Sequence, residues 1–240
     1  MTEAEWFACN DPVKLLGFVG RHHPDERKLR LYAVAGCRRI WSFLPDERFR
    51  RAVEVAELFA DRAVSKKIRS ACWREVDKAQ TEIDLATAEK AGIMGNWNTA
   101  SMAAVSAANA VGDSDSFVGP EAELLYLAWN PLDVVELSYR ERGADHRPAR
   151  EAEVKAHEAL LRDIFGNPFR PAMFDPAWRT STVVTLATQV YESRDFGAMP
   201  ILADALQDAG CTSDDILDHC RDAKQVHVRG CWVVDLVLGK

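Results

Sequence analysis

The sequence predicts an all-α protein, an irregular array of about nine to eleven helices, and three observations carry that prediction. Apolar residues recur at i, i+3, i+4 and i+7 along most of the 240-residue chain. The periodic stretches open on Ser, Thr or Asp caps and close on Gly or Pro. No stretch alternates at period two for the length of a strand. A helical-repeat-like stacking is compatible with this pattern, although no repeat of about 20–50 residues is regular enough to establish a solenoid.

In chain order, Thr2 and Glu5 have the spacing of a capping box and open a first turn carrying Trp6 and Phe7. Asp11-Pro12 supplies an N-cap and a first-turn proline before Leu15, Leu16, Phe18 and Val19. Leu29, Tyr32, Ala33, Gly36, Cys37, Ile40 and Leu44 form one buried stripe that Pro45 ends, and Asp46 caps the next helix through Phe49, Val53 and Ala56. A longer, more polar helix follows from Ser65 to about Ala91, with Ile68, Cys72, Val76, Ala79 and Ile83 on one side. An Ala-rich helix is expected over Thr99–Val111 and an irregular loop over 112–120. The next helix starts at Pro120 and should kink or restart at Asn130-Pro131.

A helix from about Ala149 to Phe165 carries Val154, Leu160, Leu161 and Ile164, and Gly166 ends it. Residues 166–178, rich in Pro and aromatic residues, read as an ordered irregular loop. Short helices follow around Val183–Tyr191, Ile201–Ala209 and, after Ser213, Ile216–Cys220. Val226–Arg229 suits a brief extended segment, and a last helix is expected from Gly230 to Leu238. The chain is read as a single helical domain over 1–240.

The formal net charge of −7 argues against general affinity for nucleic-acid backbones, which is driven by clustered Lys and Arg. The charge is uneven, since fifteen Lys and Arg stand against nine Asp and Glu between Arg21 and Lys78. Arg30, Arg38, Arg39, Arg48 and Arg51 are the candidate basic face. The competing reading pairs Arg38 and Arg39 with acids such as Glu54 or Glu57 and uses Trp41 for packing. The N-terminus lacks the apolar core of a secretory signal, and no apolar run approaches the roughly 20 residues of a membrane span. A cytoplasmic protein without membrane contact is expected, its six cysteines reduced.

The densest chemistry lies near the C-terminus, where His219, Cys220, His227 and Cys231 form a possible site. Cys211, Cys220, His227 and Cys231 are the residue types zinc takes, but they lack knuckle spacing, and buried cysteines with hydrogen-bonded histidines are preferred. Cys231, His227 and Asp235 can be drawn as a nucleophilic triad, although no local signature surrounds the cysteine. Glu153 and His157 are four apart, not the three of a di-iron bundle, and no phosphate-binding glycine loop is present.

Five segments, TEAEWFACNDP, LRLYAVAGCRRIWSFLPDERFRRAVEVAELFAD, LLRDIFGNPFRP, MPILADALQDAGC and HVRGCWVVDLVLGK, together resemble an uncharacterised bacterial family of helical proteins. Its members start on Trp-x-x-Cys and end on His-x-x-Gly-Cys-Trp-Val-Val-Asp-Leu. The resemblance implies that the two ends form a shared core and that 65–145 is the variable middle. It carries no activity, cofactor or catalytic residue. The function favoured by the sequence is a non-enzymatic interaction or scaffold protein with a protein partner and no cofactor. The alternatives are nucleic-acid binding through the basic 21–78 segment and a hydrolase or transferase using the C-terminal Cys/His residues.

Overall fold

The computed structural model describes residues 1–91 and 121–240. Among these residues the regular structure is all helical, with eleven α-helices and no strand. They are α1 (Glu3–Ala8), α2 (Pro12–His22), α3 (Glu26–Arg39), α4 (Glu47–Ala60), α5 (Lys66–Ala91), α6 (Glu121–Glu141), α7 (Arg147–Phe165), α8 (Ser181–Ser193), α9 (Met199–Asp208), α10 (Asp214–Arg221) and α11 (Trp232–Leu238). The helix and loop expected over Thr99–Val111 and 112–120 lie outside the described residues, as does part of the 65–145 segment. None of the described helices is long and apolar enough to cross a membrane.

The caps form as the sequence writes them. Thr2 N–H donates to Glu5 Oε2 at 2.7 Å while Glu5 N–H donates to Thr2 Oγ1 at 3.3 Å, satisfying two first-turn donors reciprocally. Asp11 accepts from the Val13 and Lys14 amides, and Asp46 from that of Arg48. Ser213 occupies the N-cap position of α10 in extended backbone, but its side chain makes no cap hydrogen bond. The acidic first turn of α10, Asp214 and Asp215, still complements the helix dipole.

The contacts gather into two compact units, Cys9–Glu158 and Met1–Ala8 with Ala159–Lys240. In the larger unit α3 packs on α4 and α6, α4 on α5, and α2 on α6. Its central helix α3 buries more than the expected stripe, including Arg30, Leu31, Val34 and Ala35. On α5, Cys72, Val76 and Ala79 are buried as expected, whereas Ile68 is 47% exposed one turn before them. Of the kink or restart expected at Asn130-Pro131, no restart occurs, since α6 runs through Pro131 as one helix. The proline loses one backbone donor but supplies contact surface, since a Cβ added to Gly36 would lie 3.3 Å from its Cγ.

The C-terminal unit contains α1, the end of α7 and α8 to α11. Its core is built from Val183, Val190, Met199, Leu202, Leu206, Ile216, Val233, Val234 and Val237, together with Cys211, Cys220 and Cys231. The irregular 166–178 segment is anchored at its start. The Trp6 indole donates to Gly166 O at 3.2 Å, Asn167 Nδ2 donates to Glu3, and Arg162 donates to the carbonyls of Trp6 and Phe7. A single 3-10 turn, Pro176–Trp178, interrupts the irregular stretch. Val226–Arg229 forms no strand, and α11 begins at Trp232, two residues later than expected. Gly230, at φ 97°, provides the left-handed step between them.

Candidate metal centre

Four side chains of the C-terminal unit converge on one point, each from a different local element. Asp163 stands in the last turn of α7, His219 on α10, His227 in the irregular segment between α10 and α11, and Cys231 at the N-cap of α11. Packing explains each placement. Asp163 follows Leu160 by three and precedes Ile164 by one, so it falls on the buried stripe of α7. His219 flanks the apolar face that α10 makes from Ile216, Leu217 and Cys220.

One ligand atom from each residue lies within 4.8 Å of all the others. His227 Nδ1 is 2.9 Å from Asp163 Oδ1 and 3.8 Å from Cys231 Sγ. His219 Nε2 is 3.2 Å from Asp163 Oδ1 and 3.2 Å from Cys231 Sγ. Asp163 and Cys231 are fully buried, and the two imidazoles nearly so, at 10% and 6% exposure for His219 and His227. Around them, Val228 N–H donates to Asp163 Oδ2 at 2.9 Å and Trp232 Nε1–H donates to His219 Nδ1 at 3.2 Å. The ring of His227 stacks on Phe196.

The electrostatics of this group are unusual for a protein interior. Burial alone would raise the Asp163 carboxyl, but hydrogen bonds from His219 and His227 outweigh it and hold the group below its ordinary value. Asp163 is therefore a buried carboxylate, and among the described residues no Lys or Arg pairs with it. Burial and the neighbouring Asp163 charge push the Cys231 thiol well above its ordinary range, so it rests as a neutral thiol.

This geometry does not activate a nucleophile. Asp163 and Cys231 both meet His219 at Nε2, whereas a triad places acid and thiol on opposite ring nitrogens. Asp235, the acid drawn into a triad from the sequence, is not one of the four. A tetrahedral zinc with Zn–N, Zn–O and Zn–S bonds of about 2.0–2.3 Å would hold its ligand atoms roughly 3.3–3.6 Å apart. Four of the separations here, 2.9, 3.2, 3.2 and 3.8 Å, are within about half an ångström of that range, and the widest, up to 4.8 Å, would have to close by about 1 Å. Two imidazoles, a carboxylate and a thiol are the borderline donors that suit zinc or a neighbouring divalent transition metal.

Of the possible site residues His219, Cys220, His227 and Cys231, three come together and Cys220 does not join them. The Cys220 thiol is buried in the core, where burial, Asp163 and Cys211 push it up to about 12. The zinc set read from the sequence, Cys211, Cys220, His227 and Cys231, shares only its last two members with the cluster. Asp163 was missed because it is distant in sequence. The signal that could have found it is a carboxylate on an apolar helical stripe.

The candidate basic face is largely occupied by internal pairs. Arg30 is 3% exposed and lies over the Phe59 ring. Arg38 pairs with Glu57 at 2.9 Å and stacks on Trp41, and Arg48 binds Asp46 and Glu82, each at 2.7 Å. Arg39 grips Glu153 through two hydrogen bonds of 2.6 and 2.9 Å. Of the five, Arg39 and Arg51 are exposed, and Arg39 is held by its carboxylate partner. Beside Glu153 lies a further, fully buried histidine: His157 Nδ1 is 2.8 Å from Tyr32 Oη, and its Nε2 is 3.5 Å from Glu153 Oε1. Burial would raise Glu153, but His157 and Arg39 together hold it at about 2.

Comparison with protein-family models, with curated proteins and with solved structures gives no match.

Proposed function

We propose that this chain is a non-enzymatic helical protein of the interaction or scaffold type, whose C-terminal unit is organised by one divalent transition-metal ion of the zinc class. The observation that supports this most is the convergence of Asp163 Oδ1, His219 Nε2, His227 Nδ1 and Cys231 Sγ within 4.8 Å in a buried setting. Four protein ligands fill a tetrahedron and leave no position for a substrate, which is the pattern of a structural centre. A divalent cation would also neutralise the buried Asp163 charge and stabilise the Cys231 thiolate.

Metal analysis of the purified protein after equilibration with zinc tests this reading. One equivalent is expected per chain, protected from a weak chelator. Cobalt substituted for zinc should give tetrahedral visible bands and a thiolate charge-transfer band, the latter absent in Cys231→Ser. At a free zinc concentration 100 times the dissociation constant, the unit should gain about 2.7 kcal/mol of stability. Retention of less than one equivalent, or unchanged binding in a Cys231→Ser, Asp163→Asn double variant, overturns the proposal.

A further inference from the structure

We infer that the Trp232 indole and a bound metal ion compete for His219, so that loading the centre reverses the hydrogen bonding of that ring and releases the Trp232 N–H. This inference rests on the metal reading above and concerns the regulation of the same site.

The argument is one of proton positions. An indole nitrogen only donates, so the 3.2 Å contact from Trp232 Nε1 requires a lone pair on His219 Nδ1. A neutral imidazole carries one N–H, which then sits on Nε2 and points at Asp163 Oδ1 and Cys231 Sγ, each at 3.2 Å. To ligate a metal, Nε2 must offer its lone pair, and the ring's single proton must move to Nδ1. Two N–H groups, one from His219 and one from Trp232, then face each other across a 3.2 Å gap, and no hydrogen bond survives between them. The indole must turn away or find another acceptor.

His227 undergoes the same inversion without the conflict. Its Nδ1–H donates to Asp163 Oδ1 at 2.9 Å, and ligation through Nδ1 moves the proton to Nε2, which is buried and has no hydrogen-bond partner. Each histidine keeps one proton. The only net proton released comes from Cys231, whose S–H bond breaks and whose proton passes to solvent as the metal–sulfur bond forms, while the four protein ligands together displace the waters of the aqua ion.

Movement of Trp232 cannot remain local. The indole lies against Gly166, where an added Cβ would come 3.1 Å from Trp232 Cγ, and Gly166 O accepts the Trp6 N–H at 3.2 Å. Trp232 is also the first residue of α11, next to the ligand Cys231. The indole thus holds the hydrogen-bonded arrangement in place, and the metal must displace it.

The test is a zinc titration of the full-length protein, 15N-labelled at Trp and His, with bound metal counted in the same samples. At one equivalent, the Trp232 indole resonance should shift, and two-bond His spectra should show both His219 and His227 changing tautomer. A Trp232→Phe variant keeps an aromatic ring, though a smaller one, and removes the donor, so its zinc affinity should rise about threefold to tenfold. If one zinc binds and neither the indole nor the His219 tautomer changes, the competition is wrong although the metal centre stands. Weaker zinc binding by Trp232→Phe would make Trp232 a positioning residue instead and also overturn the inference. Should that variant fail to fold, the wild-type tautomer spectra decide alone. No zinc bound at all removes both readings.

Discussion

The molecule buries two histidine–carboxylate networks, and they are solved differently. In the larger unit, Glu153 receives both nitrogens of the Arg39 fork, while His157 is held between Glu153 and the Tyr32 hydroxyl. In the C-terminal unit, Asp163 meets two imidazoles and one backbone amide, with no Lys or Arg beside it among the described residues, and a thiol completes the ring. The first network carries its own cation and closes as an ion pair between Arg39 and Glu153, with His157 Nε2 beside it making no hydrogen bond of its own. The second gathers donors of metal-ligand type around a carboxylate that has no fixed positive charge. A buried charge needs compensation, so the same local chemistry reads as structure in one place and as an ion site in the other.

The comparison can be broken by removing each carboxylate system in turn. Asp163→Ala should have the largest effect, because it strands two imidazoles and the Val228 amide. A loss of about 3 kcal/mol or more is expected in chemical denaturation, and added zinc should no longer stabilise the protein. Arg39→Met leaves Glu153 buried without its cation and should lower stability by about 2–3 kcal/mol, discounted for the partial exposure of Arg39. Zinc should stabilise this variant as much as wild type. A zinc response altered by Arg39→Met, or preserved in Asp163→Ala, would show that the two networks are not of different kinds.

Acid should weaken both networks in the same direction. Glu153 sits at about 2 in the folded protein against an ordinary value of 4.5, so its contribution is complete above about 4.5 and is lost as the pH falls toward 2. Asp163 is also depressed and follows the same sign. A pH series of denaturation midpoints in Glu153→Gln should lose part of the wild-type acid slope between those limits. The smallest effect is expected at Gly36, where Ala would bring a Cβ to 3.1 Å from His157 Cε1 and 3.3 Å from Pro131 Cγ. Overpacking there should cost about 1–2 kcal/mol in thermal or chemical unfolding, with no change in zinc binding.

The helices were legible because their signals are local. The Thr2–Glu5 box, the Asp11 and Asp46 caps and the α3 stripe all follow from spacings of a few residues. Arg38 was correctly read as a bridge to an acid, Glu57, since the two helices had to be neighbours across a short link. What the sequence could not disclose were long-range choices. Nothing in the spacing of Cys231, His227 and His219 names Asp163, and nothing in Glu153 and His157 names Tyr32 or Arg39, which are brought to them by packing between helices. Cys220 misleads for the opposite reason. It is adjacent to His219, but consecutive residues on a helix point about 100° apart, and the thiol turns into the core.

The unequal spacing of the four converging residues also bears on the order of events in folding. His219 and Cys231 are 12 residues apart with His227 between them, whereas Asp163 is 64 residues from His227. The three local groups can meet by closing short loops in about a microsecond or less, even in an unfolded chain, but the carboxylate arrives only when α7 docks. A zinc ion meeting the unfolded chain would therefore be captured first by the histidines and the cysteine, weakly and reversibly. Asp163 would be the last hand to close, converting a loose complex into a latch whose slow step is the folding of the unit itself.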